Sequence, residues 1–191
     1  YPWPGGMREA MNIMNKILVT GPNANNQSIL GDWHKPQPDE NVHTIYEGIE
    51  KIGSEMGYIV DYHDSNQNIK KISNNDINKT IEIANQYDII FVAVGDNSMR
   101  YKWSEKTAGE NTARSELNLA GNQLDLVKRL KETGKEVIVI YANGRPISEP
   151  WISENINAII EVWEPGSFGG LAAAEIIFGK VNPSGKLPLT I

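Results

Sequence analysis

Between Gly95 and Arg114 the sequence GDNSMRYKWSEKTAGENTAR sets the carboxylates of Glu105 and Glu110 and the cations of Arg100 and Arg114 around one indole, Trp103. A Glu held beside an aromatic ring and between basic groups can be partly desolvated, and then serves as a proton donor or acceptor. The opposing reading is a solvated charged loop, and the residue types alone leave the two evenly matched. Groups of a related kind recur in other loops: Asp32 and Trp33 in LGDW, Asn97 in VGDN, and Asn143 and Arg145 in NGRP. Flat aromatic faces beside amide, carboxylate and guanidinium groups suit sugar recognition, the rings stacking and the polar groups taking hydroxyls. Trp163 belongs to the same set, although for it and for Trp151 core or interface packing is an equal reading.

Other chemistries lack their residues. No GxxxxGK[S/T] or GxGxxG is present, and GSFGG at 166–170 reads first as a turn whose glycines allow a helix to pack closely on the sheet. His34, His43 and His63 show no metal-ligand spacing, so neither a metal nor a cofactor is expected. No Ser lies in GxSxG, and the absence of cysteine excludes thiol nucleophiles and thiolate zinc sites.

The elements that must position the polar loops are legible from periodicity. Apolar runs at Lys16–Thr20, Tyr58–Val60, Asp88–Val94, Glu136–Tyr141 and Ala158–Val162 read as buried strands. Ile45, Ile49, Ile52 and Met56 form one face of a helix that ends at Gly57. Ile77, Ile81 and Ala84 mark a second helix with Asn74, Asn75 and Asp76 as candidate caps, and Leu124, Val127 and Leu130 a third. A helical piece around Trp151 and the helix LAAAEIIF follow. Strands apolar throughout, alternating with amphipathic helices, require a mostly parallel sheet covered on both faces. The expected fold is α/β, a three-layer doubly wound sandwich with about six strands. In such sheets ligands sit outside the carboxyl ends of the strands, so the loops at 23–41, 96–114, 143–146 and 164–170 should share one rim.

A net charge of -6 with no basic stripe argues against a nucleic-acid partner. No apolar run is long enough to span a bilayer, so no membrane association is expected. The 40% apolar and 22% charged content is that of an ordinary globular domain. Residues 1–15, beginning YPWPGG, read as a linker or scar with a helix-compatible piece from Met7 to Met14, and residues 16–191 as the domain proper. The sequons at Asn26 and Asn78 are of the number chance supplies in an Asn-rich chain.

The motifs, in order, resemble those of the C-terminal α/β sandwich domain of glycoside hydrolase family 3, the β-glucosidase and β-xylosidase family. VWEPGSFGGLAAAEIIFGKVNPSGKLPLT at 162–190 resembles the family's W-x-PG-x-x-GG run followed by FG-x-x-NPSGKLP. GPNA, LGDW, VGDN, ARSELNLAGNQ and TGKEVIVIYANGRP support it, and the likeness extends over nearly all of the chain from Lys16. The resemblance implies the second domain of a retaining β-glycosidase acting on a β-linked oligosaccharide or glycoside. In that mechanism one carboxylate attacks the sugar, and a second, about 5 to 5.5 Å away, protonates the leaving oxygen. The family's nucleophile lies in an N-terminal (β/α)8 barrel, which takes roughly 250 residues and is not found in this sequence.

The family's acid/base is often the Glu of GEGxDR. Gly109-Glu110-Asn111-Thr112-Ala113-Arg114 keeps that spacing but has Asn111 for the second Gly and Ala113 for the Asp. Glu110 is therefore the first candidate, and Glu105 in WSEKTAGE the alternative, because some subfamilies place the Glu earlier. Asp32, Trp33, Asn97, Trp103, Arg114, Asn143 and Arg145 are the candidate sugar contacts. A non-catalytic carbohydrate-binding or assembly module of the same ancestry is the alternative function.

Overall fold

The structure, a computed structural model, describes residues 15–188. The expected Met7–Met14 helix, nearly all of the expected linker and the last residues, 189–191, lie outside the described residues. Strands β1 (Lys16–Thr20), β2 (Ile59–Tyr62), β3 (Ile89–Gly95), β4 (Glu136–Ala142) and β5 (Ala158–Glu161) form one sheet in the order β2-β1-β3-β4-β5. Every pairing is parallel. The sheet is thus five-stranded among the described residues, one fewer than expected. Periodicity marks each strand locally but carries no information about a strand that another part of a chain would have to add.

Helices α1 (Ile45–Glu55) and α5 (Gly169–Ile177) cover one face. Helices α2 (Asn74–Ala84), α3 (Gln123–Glu132) and α4 (Pro150–Asn155) cover the other. Alternate residues of the central strands divide accordingly. Ile17, Val19, Phe91, Ala93 and Ile140 pack with Ile45, Ile49 and Ala174, and Leu18, Ile90, Val92, Val94 and Val139 pack with Ile77, Leu126 and Ile152. With both faces buried, strand pattern and helix stripes select each other.

Local chemistry starts the helices where they start. Thr44 accepts the Glu47 N–H while Glu47 accepts the Thr44 N–H, a capping box on α1. The α2 box is made by Ser73 with Asp76, so the cap lies one residue before the expected Asn74. Met56 falls at the end of α1 and is exposed, so the apolar stripe stops at Ile52. Asn26 is a cap too, its side chain accepting the Ser28 N–H and donating to the Pro22 carbonyl, which engages the amide a glycan would need. No described helix is long and apolar enough to cross a membrane.

The chain winds one way from β1 to β2 and the other way from β3 to β5, so the reversal falls between β1 and β3. A crevice outside the strand ends opens at that point in doubly wound sheets. The loops after β1 and β3, which carry Asp32, Trp33 and the 96–114 segment, therefore flank it. At the opposite end of the sheet Ile17, Phe91, Ile138 and Phe178 line an apolar pocket of about 270 Å³ with few polar groups. Convergent polar chemistry is at the first end only.

GSFGG serves packing, as expected, but between two helices. A methyl group on Gly48 would lie 2.1 Å from the Gly170 carbonyl oxygen, and one on Gly170 1.9 Å from that of Thr44. Backbones of α1 and α5 touch there, and the whole face closes around that contact. Gly170→Ala should cost about 2 to 4 kcal/mol, seen as a lower urea midpoint at unchanged slope. Gly185→Ala, where a methyl meets nothing within 4 Å, should stay within about 0.5 kcal/mol.

Candidate active site

The carboxyl ends of β1, β3 and β4 are laced together by amides. Asn23, buried just after β1, donates through Nδ2 to the Asp96 carbonyl at 2.8 Å and the Ala142 carbonyl at 3.1 Å. Gln123, at the start of α3, accepts the Gly95 N–H and donates back to the Gly95 carbonyl, both at 2.8 Å. Glu149 accepts the Leu119 N–H at 2.8 Å. Asn23 and Gln123 take up backbone groups where β3 and β4 end, and Glu149 takes up one in the loop that follows α2 and precedes α3. Loops leave the sheet from fixed points as a result.

Beneath the rim lies a buried charge. Asp96 is 3% exposed, and Arg145 Nε stands 2.9 Å from its Oδ2. Thr107 donates to Oδ1 at 3.0 Å, and Arg114 Nη1 is 3.8 Å from the same oxygen. Burial pushes the Asp96 carboxyl up, and Arg145, Thr107 and Arg114 draw it part of the way back. Arg145 also donates to the carbonyls of Glu116 and Asn118, and Arg114 to Asn118 Oδ1. Asn97 accepts the Met99 N–H, and Asn143 donates to the Arg145 carbonyl. Of the candidate sugar contacts, Asn97, Arg114, Asn143 and Arg145 thus form the floor of the crevice, each engaged by the protein.

The rim is built on Asp32. Its Oδ1 takes a hydrogen bond from Lys106 Nζ at 2.9 Å and lies 3.4 Å from Arg100 Nε, while its Oδ2 accepts the Glu110 N–H at 2.5 Å. Burial pushes the Asp32 carboxyl up, but Lys106, the Glu110 N–H and Arg100 outweigh it and hold it below the usual range. Arg100 also pairs with the Glu110 carboxylate, and its guanidinium carbon sits 3.7 Å from the centre of the Trp33 ring. Trp33 is 76% exposed and Trp103 51%. The Glu110 side chain, 47% exposed, faces solvent beside them. Glu105 ends the short 3-10 segment Arg100–Glu105 and meets Lys102 Nζ at 4.0 Å.

Asp32, Trp33, Trp103 and Glu110 are therefore gathered on one rim, with Arg100 as their common neighbour. Lys106 and Asp96 were not singled out from sequence, and a lysine among polar loop residues carries no local sign of burial. Nor was Glu164, which accepts from Ser98 at 2.5 Å and fills the space beside Gly31 and Gly144. Among the described residues no cluster of three His, Asp or Glu could hold a metal ion.

With this geometry in place the chain can be set beside known proteins. The glycosyl hydrolase family 3 C-terminal domain matches residues 11–191, and the chain belongs to that family. A β-xylosidase of Formosa agariphila is 33% identical over 93% of this chain and 24% of its own length. The periplasmic β-glucosidase of Salmonella typhimurium is 30% identical over 91% of this chain and 24% of its own. A β-glucosidase from Listeria innocua, solved with isofagomine, superposes with a TM-score of 0.75 at 25% identity, covering 91% of this chain and 22% of that one. The chain spans about a quarter of the length of these relatives.

At the crevice's outer edge, Glu161 ends β5 and accepts the Trp163 N–H at 2.9 Å, with Asn143 Nδ2 at 3.4 Å. Trp163 has φ +55, a left-handed conformation held by this bond and by the Asn143 N–H on its carbonyl. Burial pushes the Glu161 carboxyl up to about 7 from an ordinary 4.5, the Trp163 N–H and Asn143 opposing it. The folded state then keeps a proton that the unfolded chain loses. The resulting stability is fully present below about 4.5 and is lost as pH rises through about 7. It should amount to something on the order of 2 kcal/mol, the full shift being discounted for partial exposure. Denaturation of the parent and of Glu161→Gln across this range should show a fall in stability with rising pH that is larger in the parent by about that amount.

Proposed function

We propose that this domain completes the active site of a retaining β-glycosidase and supplies Glu110 as its general acid/base. The observation that supports this most is the placement of Glu110. Its backbone is clamped by Asp32 and Lys106 while its carboxyl projects, half exposed, beside Trp33 and Arg100 at the switch-point crevice. Glu105 lies on the preceding 3-10 segment with Lys102 as its ion-pair partner, and neither Asp32 nor Lys106 holds its backbone.

The chemistry needs a second carboxylate, which the family likeness assigns to a barrel domain. In the first step that carboxylate attacks the anomeric carbon while Glu110 gives its proton to the departing glycosidic oxygen. In the second step the Glu110 carboxylate takes a proton from the water that attacks the glycosyl-enzyme. Arg100 pairs with the Glu110 carboxylate, the form that acts as base. Trp33 and Trp103 offer exposed faces for a sugar ring, with Asp32, Asn97, Arg114, Asn143 and Arg145 shaping the surface beneath. A β-linked glucoside or xyloside is the substrate class that the relatives' names support.

The exposed Trp33 and Trp103 also suit a carbohydrate-binding module that works without a catalytic partner. Titration of the 191-residue chain with cellobiose separates the two: saturable binding by the isolated chain favours the module, and none favours a domain that needs its partner. The same chain should not hydrolyse an aryl β-glucoside, and robust turnover would refute the division of carboxylates. In the full-length enzyme Glu110→Ala should lower kcat/KM on natural glycosides by about 10²- to 10⁴-fold. Substrates with activated leaving groups should lose much less, and azide should restore turnover. If only Glu105→Ala behaves this way, Glu105 holds the role.

A further inference from the structure

We propose that Lys106 is a positioning residue, whose ammonium holds the Glu110 carbonyl while its ion-pair partner Asp32 holds the Glu110 N–H, so that together they aim its carboxyl. The proposal rests on the assignment of Glu110 as the acid/base. Lys106 is only 1% exposed, although it lies in a polar loop, and a buried ammonium is tolerated only when fully partnered. Its Nζ donates to Asp32 Oδ1 at 2.9 Å and to the Glu110 carbonyl at 3.1 Å, and lies 4.8 Å from the centre of the Trp103 ring. Asp32, from the β1 loop, in turn accepts the Glu110 N–H. The N–H and C=O of one residue are thus gripped by the two members of a single ion pair.

The surrounding backbone is shaped to this grip. Glu110 is the second residue of a turn closed by the Thr112 N–H on the Gly109 carbonyl at 3.0 Å, and Asn111, with φ +59, takes the left-handed third place. Gly109 precedes it at φ +91, where a methyl group would lie 2.6 Å from Asp32 Oδ2 and 3.3 Å from Lys106 Nζ. A side chain at 109 would push into the ion pair itself. The pair, the glycine and the turn form one device that leaves only the side-chain torsions of Glu110 free. Misaiming a catalytic group by about 1 Å can cost on the order of 100-fold, so this device should show in the rate.

Lys106→Met removes the grip while keeping the stem's length, and Gly109→Ala disturbs the same pair from the other side should the first variant fold poorly. In the full-length enzyme each should lower kcat/KM by about 10- to 100-fold for substrates with poor leaving groups, with much less loss for activated aryl glycosides. In the 191-residue chain each should make the Glu110 amide exchange at least about tenfold faster while the amides of β3 stay protected. Equal losses on both substrate types, or an unchanged Glu110 amide in a folded variant, would overturn the proposal. Glu110→Ala, measured in parallel, separates the two ideas. Leaving-group selectivity there but not in Lys106→Met or Gly109→Ala rejects the positioning role alone, whereas its absence in Glu110→Ala rejects the acid/base assignment on which that role rests.

Discussion

Two neighbouring residues, the buried Lys106 and Thr107, connect the long loop to two carboxylates, the partly buried Asp32 above and the buried Asp96 below. A buried ion left without a partner costs several kcal/mol, far more than a surface pair contributes. The loop therefore cannot shift by a residue without stranding a charge. Asn97, whose N–H is taken by Thr107 and whose carbonyl takes the Thr107 N–H, fixes the register from the strand side. Irregular backbone is ordered here by charge pairing, where a helix or strand would use its own hydrogen bonds.

This constraint matters because of where the sheet puts it. Strand order β2-β1-β3-β4-β5 brings the β1 loop and the β3 loop to the sides of one crevice, and Asp32 and Lys106 are the bond across it. Arg145, Arg114 and Asn143 make the floor stiff, and Trp33 and Trp103 stand exposed at the top, each with a cation against its ring. The proposed role draws on this division: rigid support below, exposed aromatic rings above, and one carboxyl whose backbone is held in place. The chain belongs to the family 3 C-terminal domain and spans about a quarter of its relatives' length.

Much of the fold was legible in the sequence because its determinants are local. Ile45, Ile49 and Ile52 repeat at helical spacing, DIIFVAV is apolar without interruption, and Thr44 with Glu47 writes a capping box in four letters. The gathering of the polar loops on one rim followed from the parallel sheet alone. What was not legible depends on partners far apart in sequence. Lys106 looks like any loop lysine until Asp32 arrives to bury it, and the candidate sugar contacts divide into rim and floor only once Asp96 is seen to draw Arg145 and Arg114 inward. The cap of α2 fell on Ser73 because a hydroxyl with Asp76 three residues on closes a reciprocal pair that a run of asparagines does not.

The proposed role of Glu110 turns on position: its carboxyl should meet the leaving oxygen, with the Asp32–Lys106 pair holding its backbone. A crystal structure of the full-length enzyme with a non-hydrolysable β-glycoside spanning the cleavage point measures this directly. The expected result is a Glu110 carboxyl oxygen about 3 Å from the glycosidic heteroatom, with the Asp32, Lys106 and Glu110 bonds intact. Glu105, or a residue from another domain, standing at that atom while Glu110 points to solvent would contradict it.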